Sequence, residues 1–442
     1  MKKKFKKRVF LSILLLLAMY IANIFISTGF FRTIENTFDG NILHEIKLSG
    51  AEDITISQTG HFAIVSATAR KKIPTIQQEN GGLYFLDLTN KNYQPILLTE
   101  NFEKPFAPHG ISIYKKDSSY TVAAINHTKE GEFIEIFELI GQELTHQKTL
   151  KNERIFSPND LVLLDENRFY FTNDHKYKEG ILRLAEDYLG LAVSNVMYFD
   201  GKNYSEVADG IAYANGINYD VKRKLLFVAS PRDFLVKVYQ KNEDHTLTFI
   251  ENIDCKTGVD NIEFDTENTL WIGAHPSLLD FSAYAKGNRA IAPSEIIKIN
   301  YIDKGDYSIE QMYMEDGATM AAASVAAPYE NLILAGNVMD AQFLILKSNK
   351  LLSKKLPFLE KKMKPHHENN ILYLLDGKEI APEDLNEIPP AEIKSVAVFK
   401  GAKEISKYTD KKYDGVILIE IKKKTNAKNY LLNYPDFTSI SM

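Results

Sequence analysis

The 442-residue sequence contains a single cysteine, Cys255. That excludes an internal disulfide and every CxxC-type zinc or redox motif. A lone thiol can serve as a nucleophile, but a small buried hydrophobe is the commoner role for such a residue. No Gly-x-Ser-x-Gly string occurs, so the strained elbow that exposes a catalytic serine is not encoded. Charge excess is lacking as well. The formal net charge is −5, and no nucleic-acid footprint follows from it. Few long segments carry a helical period, and the one long uncharged apolar run lies at the N-terminus.

That run settles location. Six of the first eight residues are basic (Lys2, Lys3, Lys4, Lys6, Lys7 and Arg8), and no charge follows from Val9 to Phe31. The length suffices to span a bilayer core. The basic flank should stay cytoplasmic, which puts the rest of the chain on the periplasmic or exterior face. A cleaved signal peptide is the rival reading. No clear small-x-small site follows the run, and the run is long for a signal core. Residues 1–31 are therefore a membrane anchor or signal segment, with an uncleaved anchor preferred.

What the sequence does have is a repeat. Apolar residues make up 45% and aromatics 11%, which suits a strand-rich chain with a real core. One pattern recurs: a polar or small pair, an aliphatic residue, a turn, then an apolar strand. It begins at Glu52-Asp53-Ile54, His109-Gly110-Ile111, Asn159-Asp160-Leu161, Asn215-Gly216-Ile217, Asp260-Asn261-Ile262 and, more weakly, Ala323-Ser324-Val325. A period of about fifty residues with further strand-like pieces between copies predicts four-stranded blades. Those pieces are GGLYFLDLT, EFIEIFELI, GILRLA, FLVKVYQK and SEIIKINYI. The expected fold is all-β, a six-bladed β-propeller over residues 32–347, preceded by a transmembrane helix. A β-sandwich with coincidental hairpins is the alternative, and six copies in phase count against it. A basic linker (348–367), a small α+β module (368–425) and a tail (426–442) should follow. In the module, PEDLNEI and PPAEI read as helical turns begun by proline.

The innermost strand of each blade lines a propeller's channel, so equivalent polar pairs converge in space. The converging set is Glu52, Asp53, Asn159, Asp160, Asn215, Asp260 and Asn261. All are oxygen donors, and a hard cation such as calcium suits them better than zinc. Without a metal, four carboxylates in a narrow channel would repel one another. Turn chemistry explains any single pair equally well; four pairs in one phase favour metal binding. His109 occupies a pair position beside the proposed metal. A neutral imidazole there could take a proton from water. His127 and His275 close the second and fifth repeats, and Asp174 and His175 close the third.

The strings GAEDI, PHGISIY, INH, PNDLVLL, FTNDH, ANGI, VDNIEFD and WIGAHP resemble the paraoxonase/arylesterase family over about residues 31–347. The resemblance implies a six-bladed propeller with two calcium ions that hydrolyses lactones, aryl esters and sometimes organophosphates. It implies a catalytic calcium on Glu52, Asn159, Asn215, Asp260 and Asn261. A structural calcium would sit on Asp53 and Asp160 with the backbone carbonyl of Ile111. It further implies a histidine dyad of His109 and His127, and matches Asp174, His175 and His275 to family positions of less definite role. Two departures stand out. The disulfide that closes the animal propellers cannot form here, and Ala274 stands where the family often has a cysteine beside His275.

In the C-terminal module YLLDGKEI, SVAVFKG and YDGVILIEIKKK resemble the plug-like domain of TonB-dependent receptors, which implies an envelope protein partner. The expected activity is a calcium-dependent lactonase or arylesterase acting on a small ester or lactone. The alternative is a non-catalytic, calcium-stabilised propeller that binds a ligand or protein. A sugar-lactonase propeller is a third reading, which the paired Glu52-Asp53 and His109-Gly110 disfavour.

Overall fold

The computed structural model describes residues 2–70, 81–350, 352, 371–380, 393–400, 402–411, 413 and 415–421. Two compact units divide the chain, Met1–Leu356 and Pro357–Met442. In the first unit, strands follow one another as six antiparallel sheets. The innermost strands are Ala51–Ser57, Pro108–Lys116, Pro158–Leu163, Ile217–Asp220, Gly258–Phe264 and Ala323–Tyr329. Each packs beside the next, and the sixth returns to the first. A closed ring of six four-stranded sheets is the arrangement of a six-bladed propeller.

Strand pairing closes the ring. Gly40–Ile46, near the start of the chain, pairs with Phe343–Ser348 and becomes the outer strand of the last blade. A sheet edge that would otherwise be open is thereby covered. Thr37–Phe38 adds a fifth strand to the preceding blade.

Blade faces meet other blades, so second strands can be buried on both faces rather than on alternate residues. Phe62–Ala67, Leu225–Ser230 and Leu332–Asn337 are buried at every position. Between the last and first blades, Ile54 and Val65 pack with Val325, Leu334 and Phe343. Cys255 is buried with Val236 and Ile253. Burial pushes its thiol far above the usual range, so it is a packed hydrophobe and not a nucleophile.

One expected strand is a helix. GILRLA was assigned to the outer part of the third blade, but Gly180–Leu189 is α-helical and Ser194–Phe199 supplies that blade's third strand. So short a mostly apolar run fits either period. The stop decides it: Gly190 takes a left-handed conformation (φ 64°), and its N–H returns to the Ala185 carbonyl, a glycine helix terminator. A second helix, Leu278–Ala285, starts from Ser277, whose hydroxyl accepts from the Asp280 N–H. The N-terminal helix, Lys2–Ser27, contains a stretch from Phe10 to Ser27 that is long and apolar enough to cross a membrane, none of it buried.

In the second unit, the described residues form a mixed sheet ordered Lys378–Ile380, Ile371–Leu375, Gly415–Ile421, Ile393–Lys400. The two central strands run parallel. Leu372, Leu374, Val416 and Ile405 of the short helix Ala402–Ile405 pack together. The proline-initiated turns, most of the linker and the tail lie outside the described residues.

Candidate active site and cation cradle

Bulges aim the polar pairs. In five of the six innermost strands the pairing register skips at the pair: between Ala51 and Asp53, Pro108 and Ile111, Pro158 and Leu161, Val259 and Ile262, and Ala323 and Val325. The extra residue kinks the strand and redirects its side chain. In the fourth blade Asn215 precedes the strand, held by its N–H on the Ala229 carbonyl. The adjacent Gly216 is required by close approach, since a Cβ there would lie 2.3 Å from the Asp260 carbonyl oxygen. As a result Glu52, His109, Asn159, Asn215 and Asp260 line one cavity of about 270 Å³. Asn261 joins them through its Nδ2, which donates to Glu52 Oε1 at 2.9 Å.

Four buried oxygens here have no hydrogen-bond partner: Glu52 Oε2, Asn159 Oδ1, Asn215 Oδ1 and Asn261 Oδ1. Such groups are costly unless something outside the chain satisfies them. Second contacts fix their direction. The Asn159 amide nitrogen donates to Asp174 Oδ2 at 3.3 Å, which leaves Oδ1 for the cavity. Asp260 Oδ2 meets His275 Nε2 at 2.9 Å, and the His275 ring stacks on Phe281 at 4.0 Å. Burial, with Asp53 and Asp260 adding to it and Arg70 opposing, raises the Glu52 pKa well above the usual carboxylate value. Among the described residues no three His, Cys, Asp or Glu groups cluster as a metal site by themselves. The donor set is one of carboxylates and carboxamides, the chemistry that calcium accepts and zinc does not favour.

Asp53 and Asp160 do a different visible job. Asp53 Oδ1 accepts from the Ile54 N–H at 2.9 Å, and Oδ2 from the Ile111 N–H of the next blade at 2.7 Å. Asp160 repeats this with Leu161 at 2.7 Å and Ile217 at 2.8 Å. Each carboxylate clips two neighbouring blades. Burial raises both, Asp53 to about 7 and Asp160 well above its ordinary value.

His109 Nδ1 lies 3.0 Å from the Asn159 carbonyl. A carbonyl only accepts, so Nδ1 carries the hydrogen and Nε2 is the basic nitrogen. Burial first, then the Arg70 and His127 charges, holds its pKa well below the usual value. The ring is therefore neutral, and its 3.4 Å approach to Glu52 Oε2 is not an ion pair. His127 stands edge-to-face with it, ring centres 5.0 Å apart, and its Nδ1 is bonded to Glu132.

His175 is held differently. Its Nδ1 meets Asp174 at 2.7 Å and its Nε2 meets Asp187 at 3.0 Å. Burial opposes protonation, but the two carboxylates win and lift the ring to about 9. Asp187 belongs to the helix Gly180–Leu189, so the imidazolium ties that helix to the propeller rim.

Several residues of the site had no sequence signal. Arg232 donates to the Asp187 and Tyr188 carbonyls at 3.2 and 2.9 Å and to Ser27 Oγ at 3.3 Å. The Thr28 carbonyl accepts from the Leu278 N–H at 2.9 Å, and Thr28 lines the cavity. Tyr213, with φ 65°, lays its ring against His175 at 4.5 Å and lines the cavity. Arg70 donates to the Pro108 carbonyl at 2.6 Å.

Comparison with known proteins is consistent with this geometry. The family profile Arylesterase matches residues 32–346. Serum paraoxonase/arylesterase 2 of Gallus gallus is 31% identical over 298 residues, 66% of this chain and 84% of its own. Serum paraoxonase/arylesterase 1 of Homo sapiens is 32% identical over 302 residues, with the same coverage. Serum paraoxonase/lactonase 3 of Oryctolagus cuniculus is 31% identical over 299 residues. With the match running across every blade of the ring and every oxygen donor of the cradle, the chain belongs to the arylesterase (paraoxonase) family.

Proposed function

We propose that the protein is a calcium-dependent hydrolase of lactones and/or aryl esters. The observation that carries this reading is the set of four partnerless buried oxygens converging on a cavity whose wall holds a neutral imidazole. Glu52, Asn159, Asn215, Asp260 and Asn261 would hold the catalytic calcium. Asp53 and Asp160, with the Ile111 carbonyl, would hold a second, structural one. When bound, calcium supplies a Lewis acid that polarises the substrate carbonyl and stabilises developing negative charge.

The chain's own residues do the rest. His109, with Nδ1–H committed to the Asn159 carbonyl, offers Nε2 to the proton of an attacking water. The water oxygen bonds to the carbonyl carbon, the ester C–O bond breaks, and the proton returns to the leaving oxygen. His127 orients His109 or relays that proton. Leu278, Leu279 and Phe281 line the cavity and give an ester's apolar part a dry surface.

The helix Lys2–Ser27 serves as an uncleaved anchor, with its basic end cytoplasmic and the propeller facing the periplasm or exterior. Its last turn supports this, because Ser27 and Thr28 bond to the cavity rim and would be disturbed by removal of the helix. The C-terminal sheet is a plug-like module that engages an envelope protein.

The test is hydrolysis of a lactone panel and phenyl acetate by the full chain in detergent, with calcium, with chelator, and as His109→Gln. Calcium-dependent turnover that collapses in the variant is expected. Absence of turnover on every substrate, with calcium still raising the melting temperature, would replace this reading with a non-catalytic binding propeller.

A further inference from the structure

The hairpin that carries His127 places a carboxylate behind it. Strands Ser119–Thr128 and Gly131–Ile140 are joined by a two-residue turn, Lys129-Glu130. The Thr128 hydroxyl fastens the turn, accepting from the Glu130 N–H and donating to the Gly131 carbonyl, both at 3.1 Å. Thr128 then faces Gly131, and His127 faces Glu132 directly across the ladder. Directly opposed residues share one face of a sheet and sit in contact. Glu132 Oε2 is hydrogen-bonded to His127 Nδ1.

A carboxylate only accepts, so this bond puts the hydrogen on Nδ1 and leaves Nε2 as the nitrogen of His127 that exchanges protons. The same tautomer is imposed on His109 by the Asn159 carbonyl. Both rings of the edge-to-face pair are thus set in one tautomer, one by a backbone carbonyl and one by a side-chain carboxylate. A base whose second nitrogen is held by a carboxylate is the arrangement that orients an imidazole and stabilises its protonated form.

We propose that Glu132 is a positioning residue of the hydrolytic site: it fixes the orientation and tautomer of His127, the ring that backs His109. This rests on the hydrolase reading above. The proton taken from water at Nε2 of His109 returns to the leaving oxygen, so no net proton is kept, and His127 backs His109 through the edge-to-face contact of their rings, 5.0 Å between centres.

A purely structural ion pair predicts something else. His127 and Glu132 are each about a quarter exposed, 26% and 28%, and exposed pairs contribute little to stability. Loss of a structural pair would leave turnover alone.

The experiment uses the full chain, with the lactone on which wild type turns over fastest. In Glu132→Ala, kcat should fall about 10- to 100-fold, less than for a buried triad carboxylate because the pair is partly solvated. KM and melting temperature should stay close to wild type, and Glu132→Asp should recover part of the loss. Nitrogen-15 spectra of histidine-labelled protein should show His127 as the Nδ1–H tautomer in wild type and as a mixture in Glu132→Ala. Collapse of turnover in His127→Gln with wild-type turnover and an unchanged His127 tautomer in Glu132→Ala would overturn this inference and leave the hydrolase reading standing. Full turnover in His127→Gln would remove the histidine pair and this inference with it. No turnover in wild type would overturn both.

Discussion

Raising the pH from 7 to 10 should release the helix Gly180–Leu189 from the cavity rim while the propeller stays folded. The cause is His175, caught between Asp174 and Asp187. Its folded pKa of about 9 lies above the ordinary value of about 6.5. A raised histidine pKa contributes stability that is complete below the unfolded value and is lost as pH climbs through the folded one. The displacement corresponds to about 3 kcal/mol, of which about 2.5 kcal/mol is present at pH 7 and almost none at pH 10. His175 is 2% exposed but Asp187 is 37% exposed, so solvent screens the Asp187 share, and the larger share, through Asp174, does not act on the helix. The loss should be centred on the helix, which carries Asp187, because Asp174 on the propeller side keeps its bonds from Ser157 and Asn159. Hydrogen exchange read by mass spectrometry, corrected for the intrinsic pH dependence, should show protection in residues 180–189 falling about 5-fold, the Asp187 share of the total, with Arg232 still bonded to the Asp187 and Tyr188 carbonyls. The inner strands should keep theirs. His175→Gln should give the loosened helix already at pH 7, with no further change at pH 10. Unchanged protection of the helix between the two pH values, or equal loss in the inner strands, would refute the reasoning.

Three further outcomes follow from the geometry. Asn215→Ala removes one partnerless oxygen from the cradle; turnover should drop at least tenfold, and the rise in melting temperature on adding calcium should shrink, as calorimetry would record. Gly216→Ala forces a methyl group to within 2.3 Å of the Asp260 carbonyl; the inner strands must separate, costing about 1–3 kcal/mol in a urea titration and lowering turnover with it. Arg32 donates to both oxygens of Glu295, at 2.7 and 2.5 Å, and that carboxylate is 1% exposed. Arg32→Ala should destabilise the first unit by about 3 kcal/mol in the same titration without changing KM.

The oxygen donors were legible in the sequence for a physical reason. A ring of equivalent strands turns a sequence period into spatial convergence, so Glu52, Asn159, Asn215 and Asp260 could be grouped before any coordinates existed. His109 was legible for the same reason, since it occupies a pair position. The bulges that aim these pairs were not, because a register skip leaves no mark in residue type. GILRLA misled because six residues, five of them apolar or small, satisfy both a strand and a helix; the informative residue was Gly190, beyond the run. Asp187 was invisible because its role depends on a helix the period had assigned to a strand. Glu132 could have been found by counting across the two-residue turn from His127. Arg232 and Thr28 act through backbone carbonyls and a cavity wall brought together from distant segments, and no local pattern records that.

The strand Gly40–Ile46 has a consequence for the timing of synthesis. Its partner, Phe343–Ser348, is translated some three hundred residues later, which at typical translation rates is a wait of about 15–60 s. During that interval the emerging blades can form in order, but the ring has an open seam with two unsatisfied edges. The last blade has three strands until the earliest one docks. Both edges of the seam belong to one chain, so it closes by an encounter within one molecule and not with a strand of another.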